Sequence, residues 1–241
     1  YAHVFSGSAP YYVVNEYPKS GGSWVSELMA STLDIPYRRR NEIRLERSVV
    51  HGHFLYRGGL RNVLTVWRDP RDLLVSFYYH SLFINEFGND LLVEMTKEQL
   101  PFVDYGDIRA NLPEFIRFVS TTPISPHFTW PRFAKAWLDL PGVLHTSYEA
   151  MRADTPAELA RILEELTGTR PPAEAVAAAI EKHSFKKAKA EAEQNRPAGT
   201  EVSFFREGSL GGWRKSFTPE AEAQLERFGY IEPMRRLGYE P

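Results

Sequence analysis

The sequence predicts an α/β fold: a mostly parallel central sheet with helices on both faces. Three observations support this. Apolar, β-branched runs alternate with amphipathic helical patterns along the chain. Two of those runs end in turns that open directly into helices, at Pro18–Trp24 and at Arg68–Ser76. The 241 residues suffice for one large core and contain no internal repeat. A single domain over residues 1–241 is therefore expected.

The elements follow in order. Tyr11–Tyr17 is apolar and reads as the first strand, and Trp24, Leu28, Met29 and Leu33 recur at helical spacing after it. A basic, polar connection from Arg38 to Arg47 leads to a short strand over 48–53. Leu60–Trp67 reads as the second clear strand, and Pro70 at a first helical turn starts a helix through about residue 83. Helices are expected over 111–120 and 127–139, with a strand over 142–146 between them and the next helical stretch. Asp154-Thr155-Pro156 caps a helix bearing Leu159, Ile162, Leu163 and Leu166, which ends at Gly168. Ala173–Ile180 continues helical. Residues 186–212 are polar and lack apolar density, so they read as an irregular loop or lid. Two short helices close the chain after Thr218-Pro219.

Composition narrows the function. Twenty-nine Lys plus Arg against 31 Asp plus Glu is nearly balanced, which argues against nucleic-acid partners. The absence of cysteine excludes disulfides, zinc–cysteine sites and a cysteine nucleophile, and fits a reducing compartment. No apolar run reaches the length of a membrane span, and no signal peptide opens the chain. The first residue is Tyr1 rather than Met, which leaves an upstream segment or anchor open.

Four segments carry chemistry. Lys19-Ser20-Gly21-Gly22-Ser23-Trp24 follows a strand and opens a helix, so several backbone N–H groups can converge on one anion, with the Lys19 charge at the mouth. That pattern suits a phosphate or sulfate-like group. It is not a Walker A loop, because Lys19 precedes the glycines rather than following them. Taken alone it is equally an ordinary strand-to-helix turn. The second segment, Arg68 to Ser76, also sits at a strand end entering a helix, where open α/β sheets bind ligands. Arg68 and Ser76 can hold a second anion there, although a plain helix start with surface ion pairs accounts for the same residues. The third is His51-Gly52-His53, whose alternation puts both imidazoles on one strand face. No companion cluster for a metal is evident in the sequence, and a histidine beside a phosphate-type donor is a natural general base. The fourth runs from Phe205 to Arg214, where glycines allow close approach to a ligand and Arg206 offers a planar fork for phosphate.

In this order and spacing the four segments resemble the cytosolic-type sulfotransferase family. Pro18–Trp24 looks like that family's 5′-phosphosulfate loop, Pro-Lys-Ser-Gly-Thr-Thr-Trp. Arg68–Ser76 looks like its 3′-phosphate element, and Phe205–Trp213 like its late Arg-Lys-Gly-x-x-Gly-Asp-Trp motif. Lys182–Lys186 is similar to its His-Thr-Ser-Phe-Lys segment. The similarity runs from about residue 11 to 230.

The resemblance implies a P-loop-like α/β sheet and the cofactor 3′-phosphoadenosine-5′-phosphosulfate (PAPS), whose product is PAP. It implies in-line transfer of the sulfuryl group to a hydroxyl or amine acceptor, without a metal. Lys19 matches the lysine at the leaving bridging oxygen, and the amides of Ser20, Gly21, Gly22, Ser23 and Trp24 match those around the 5′-phosphate. His53 matches the catalytic base of the family's Lys-Thr-His-Leu stretch, which places His51 on a lysine position. Arg68 and Ser76 match the 3′-phosphate binders. Trp24, Tyr148, Ser184 and Phe185 fall on the adenine side. Arg206, Glu207 and Gly208 fall on the late-motif contacts, with Glu207 in place of the usual lysine. The family's dimer motif falls on Arg214–Ala223, where Pro219 and Ala223 depart from it, so the resemblance fixes no oligomer. A cytoplasmic protein is expected. The acceptor is expected to be a small apolar or aromatic molecule, from Phe83, Phe87, Phe102, Tyr105, Phe128 and Trp130 in or beside the variable loops 34–47, 84–110 and 120–133. Two other readings compete. A P-loop nucleotide kinase would depend on Mg²⁺ and a Walker-type lysine. A non-catalytic nucleotide-binding module would keep the cofactor motifs without a base.

Overall fold

The computed structural model describes residues 11–38, 46–203 and 210–240. The chain divides into two compact units. The first comprises Tyr1–Arg68 and Ala136–Ser184, and the second Asp69–Lys135 and Phe185–Pro241.

The first unit holds the sheet. Its strands are β1 (Tyr11–Glu16), β2 (Tyr37–Arg38), β3 (Ser48–Gly52), β4 (Val63–Trp67) and β5 (Val143–Ser147). They lie in the order β2-β3-β1-β4-β5, and every pairing is parallel. β1 is central and wholly buried, which explains its near-continuous apolar sequence. Its register sets Asn15 beside Gly52 on one side and Glu16 beside Val66 on the other. The carboxyl ends of β3, β1 and β4 therefore come together where the strand order turns back around β1, the position at which open parallel sheets bind ligands.

Helices α1 (Gly22–Leu33), α6 (Tyr148–Ala153), α7 (Thr155–Thr167) and α8 (Ala173–Lys182) complete this unit. Tyr12 and Val14 of β1 pack with Val25, Leu28 and Met29 of α1, Leu159, Ile162 and Leu163 of α7, and Val176 and Ala179 of α8. Burying one such side chain contributes about 1.5–3 kcal/mol, so this cluster dominates the unit's stability. The caps are those the sequence announces. Asp154 accepts from the Ala157 amide at the start of α7, and Gly168 closes that helix with φ 75°.

The second unit is helical, with α2 (Pro70–Leu82), α3 (Asp90–Gln99), α4 (Ile108–Thr121), α9 (Phe185–Gln194), α10 (Pro219–Arg227) and α11 (Ile231–Arg236). Helix α5 (Trp130–Trp137) spans the boundary between the units in sequence. Two expectations are corrected here. Residues 185–194 are helical rather than irregular, because Lys187-Ala188-Lys189-Ala190-Glu191-Ala192 are strong helix formers that need no apolar stripe. The chain beyond them is held as well: the Glu201 and Val202 amides both donate to the Ile84 carbonyl, and Ser203 reaches Glu86. The segment 84–110 also contains a helix, α3, rather than loop alone. Phe128 and Trp130 are buried in this unit, with Trp130 stacked at 5.4 Å on Tyr230.

Candidate active site

The site is built at the carboxyl end of β1 within the first unit. The strand's last two residues, Asn15 and Glu16, are polar and buried at 0% and 3% exposure. Buried polar groups require partners. Asn15 meets the main chain of Phe54 twice: its amide donates to the Phe54 carbonyl at 3.0 Å, and its carbonyl accepts from the Phe54 N–H at 3.1 Å. The Trp137 indole N–H donates to the same carbonyl at 2.8 Å. The chain just beyond His53 is fixed by these contacts.

Glu16 makes three further connections. Its Oε1 lies 3.0 Å from His51 Nε2. Its Oε2 accepts from the Gly22 amide at 2.5 Å. Its backbone carbonyl lies 3.0 Å from His53 Nδ1. A carbonyl oxygen only accepts, so His53 donates from Nδ1, and in the neutral ring Nε2 is the basic nitrogen. Burial works against the Glu16 charge. The hydrogen bond from His51, the attraction of either imidazole when protonated and the Gly22 amide outweigh it and bring the pKa below the ordinary carboxylate value. His51 is buried and His53 exposed, with ring centroids 4.9 Å apart and planes nearly perpendicular.

The sequence alone shows no companion for the two histidines. In the fold, Glu16 is that companion. One of its oxygens and a ring nitrogen of each histidine lie within 4.8 Å of one another. Oε1 meets His51, Oε2 meets the Gly22 amide and the backbone carbonyl meets His53, so Glu16 links the two histidines to the start of α1. The signal in the sequence is a pair of polar residues closing an otherwise apolar strand directly before the loop.

The loop after β1 is shaped by backbone strain and close contact. Lys19 has φ 76°, a left-handed conformation that costs a residue with a side chain, and such strain concentrates at functional sites. Gly21 has φ 98° and caps α1, and a Cβ there would lie 2.7 Å from the Tyr148 ring. A Cβ on Gly22 would lie 2.8 Å from the Glu16 carboxyl carbon and 3.0 Å from His51 Nε2. The amides do not all converge as expected. Both the amide and the hydroxyl of Ser20 bond the Tyr17 carbonyl, and the Gly22 amide bonds Glu16. The Gly21 and Trp24 amides meet no acceptor among the described residues. Ser23 sits in the first turn of α1.

Arg68, just past β4, closes the other side. Its Nη1 donates to the Lys19 carbonyl at 3.0 Å, and its guanidinium carbon lies 4.6 Å over the Tyr148 ring. Its Nε is buried without a hydrogen-bond partner, leaving one donor unspent. Trp24 meets Tyr148 edge-on at 6.0 Å and donates its indole N–H to the His183 carbonyl at 3.1 Å, next to half-buried Ser184. Lys19, Gly21, Trp24, Arg68, Tyr148 and Ser184 are thus grouped in one unit. A glycine-bared loop, an aromatic pair and an arginine with a free donor suit a nucleotide bearing anionic groups.

The remaining expected residues lie elsewhere in the chain. Ser76 is half-buried on α2, and Phe185 opens α9. Arg206, Glu207 and Gly208 lie outside the described residues. The chain after them is anchored within the second unit. Asp72 accepts from the Gly211 and Trp213 amides at 2.7 and 2.8 Å, and Arg71, paired with Asp69, lies 4.1 Å over the Trp213 ring.

A parallel sheet whose central strand runs through a tight glycine-containing loop into a helix defines a P-loop-like fold. The chain belongs to the sulfotransferase family: the family model described as the sulfotransferase domain matches residues 60–238. Sulfotransferase 1A1 of Mus musculus is 25% identical over 246 residues, spanning 90% of this chain and 81% of that protein. Among solved structures, mouse sulfotransferase SULT7A1 complexed with PAP has a TM-score of 0.65 at 19% identity, over 97% of this chain and 88% of that one. Retinol dehydratase in complex with androsterone and inactive cofactor PAP has a TM-score of 0.63 at 17% identity, over 94% and 81%. The structural likenesses bear out the expected fold, and the family match makes the protein a sulfotransferase by class. No helix among the described residues is long and apolar enough to cross a membrane.

Proposed function

We propose that this chain moves the sulfuryl group of PAPS to the hydroxyl of a small apolar or aromatic acceptor, with His53 as general base. The observation that supports this reading is the bond from His53 Nδ1 to the Glu16 carbonyl, which makes Nε2 the basic nitrogen of the neutral ring.

The cofactor supplies an activated sulfuryl group and a phosphate leaving group. The residues around it do the rest by position and charge. Lys19 and the Gly21 and Trp24 amides meet the 5′-side charge. Arg68, with its unspent Nε donor, takes the 3′-phosphate, and Trp24 and Tyr148 flank the base. Nε2 of His53 removes the acceptor's proton, and the Glu16 carboxylate stabilises the imidazolium that results. An apolar acceptor is supported by Phe54 and Tyr56, which pack edge-on against Trp137 at 5.9 and 5.4 Å next to His53 in the sequence. Two of the fold neighbours hold androsterone and retinol.

The test is to incubate the purified protein with radiolabelled PAPS and a panel of alcohols, phenols, glycans and amines, with and without Mg²⁺. Metal-independent label transfer to a hydroxyl acceptor is expected. Mg²⁺-dependent phosphoryl transfer from ATP, with no PAP binding, would overturn the reading.

A further inference from the structure

We infer that Glu16 is a positioning residue that ties the proton-accepting histidine to the cofactor loop; this rests on the function proposed above. One residue supplies three anchors. The backbone carbonyl fixes the His53 tautomer, Oε1 fixes His51, and Oε2 holds the first amide of α1 at Gly22. The glycine at 22 makes this possible, since any Cβ there would collide with the Glu16 carboxyl group. His51 stands where the resemblance expects a lysine, yet its Nε2 is turned to Glu16 and the ring is buried, so it does not present a free cation to a ligand. The carboxylate faces both imidazoles. Its charge favours the protonated His53 that forms during transfer.

The chemistry of the amide replacement separates these anchors. In Glu16→Gln the Gly22 N–H still needs an acceptor, so the new oxygen must turn to Gly22 and the NH₂ to His51. His51 must then accept at Nε2, and its proton moves to Nδ1. The loop anchor survives while the charge and the His51 tautomer are lost. In Glu16→Ala all the side-chain anchors are lost.

The experiment measures PAP affinity, kcat and imidazole ¹⁵N shifts in the full chain. Glu16→Gln should keep PAP affinity within about twofold of wild type, lower kcat about tenfold, and move the His51 proton from Nε2 to Nδ1. Glu16→Ala should weaken PAP binding as well, by about tenfold. A packing role alone would move neither the tautomer nor the kcat-to-affinity split. Wild-type kcat in Glu16→Gln, with wild-type transfer intact, overturns the inference and leaves the proposed function standing. Wild-type protein that neither binds PAP nor transfers label overturns the proposed function itself. The wild-type shifts decide the matter even if the variants do not fold: a bare, unprotonated Nδ1 on His53, or a bare Nε2 on His51, contradicts the arrangement.

Discussion

Glu16 and His51 face each other at 3.0 Å across the β1–β3 pairing, both almost fully withdrawn from water. Breaking such a buried pair from one side costs more than the pair contributes, because the remaining partner keeps its desolvation penalty. His51→Ala strands the Glu16 carboxylate and should destabilise the protein by about 3 kcal/mol or more. His53→Ala, at an exposed ring, should cost far less. Urea denaturation of the two variants checks the order, and equal stabilities would show that the pair is not coupled.

Acid should act through the same carboxylate. The folded pKa of Glu16 is depressed, so its stabilising contribution is present above the ordinary value of 4.5 and disappears as the pH falls through the folded one. Glu16→Gln lacks that dependence. Below about pH 4.5 the wild-type denaturation midpoint should fall faster than that of Glu16→Gln. Parallel curves would contradict the depressed pKa.

Gly21 tolerates no side chain. Its φ of 98° acts together with the Tyr148 ring, which lies 2.7 Å from where a Cβ would stand. Gly21→Ala should lose about 1–3 kcal/mol of stability and most PAP affinity. Adding Tyr148→Ala removes the collision but not the backbone strain, so only part of the stability should return. Full recovery would assign the whole effect to the ring.

Arg68 carries the expected discrimination between nucleotides. PAP should raise the melting temperature well above ADP, which lacks the 3′-phosphate, and Arg68→Ala should abolish the difference. Equal shifts in the wild-type protein would remove Arg68 from the 3′-phosphate.

Lys19→Ala should leave the fold intact, because the side chain is only partly buried, and lower turnover by about 10²–10³. Turnover near wild type would place Lys19 away from the leaving group.

The parts of the fold and site that are legible in the sequence are local ones. The strand–loop–helix at residues 11–33, the Arg68-Asp69-Pro70 helix start and the caps at Asp154 and Gly168 each declare themselves within a few residues. Glu16 and Asn15 do not, because their partners lie 35 and 39 residues away and meet them only through the parallel register. The face-sharing of His51 and His53 is legible from alternation. The division of labour between them is not, since it depends on which ring Glu16 takes with its carboxylate and which with its carbonyl. Helix α9 escapes sequence reasoning for the opposite reason. It is stabilised by alanine and charged helix formers rather than by an apolar face, so apolar density gives no sign of it.

The most direct measurement compares His53→Ala with His51→Ala in a transfer assay with an acceptor found by the panel, alongside PAP affinity for both. Loss of the base should lower turnover in His53→Ala by about 10²–10⁴ while PAP affinity stays near wild type. His51→Ala should keep turnover much nearer wild type in the folded fraction, despite its lower stability. An inactive His51→Ala beside an active His53→Ala would contradict the assignment of Nε2 of His53 as the proton acceptor.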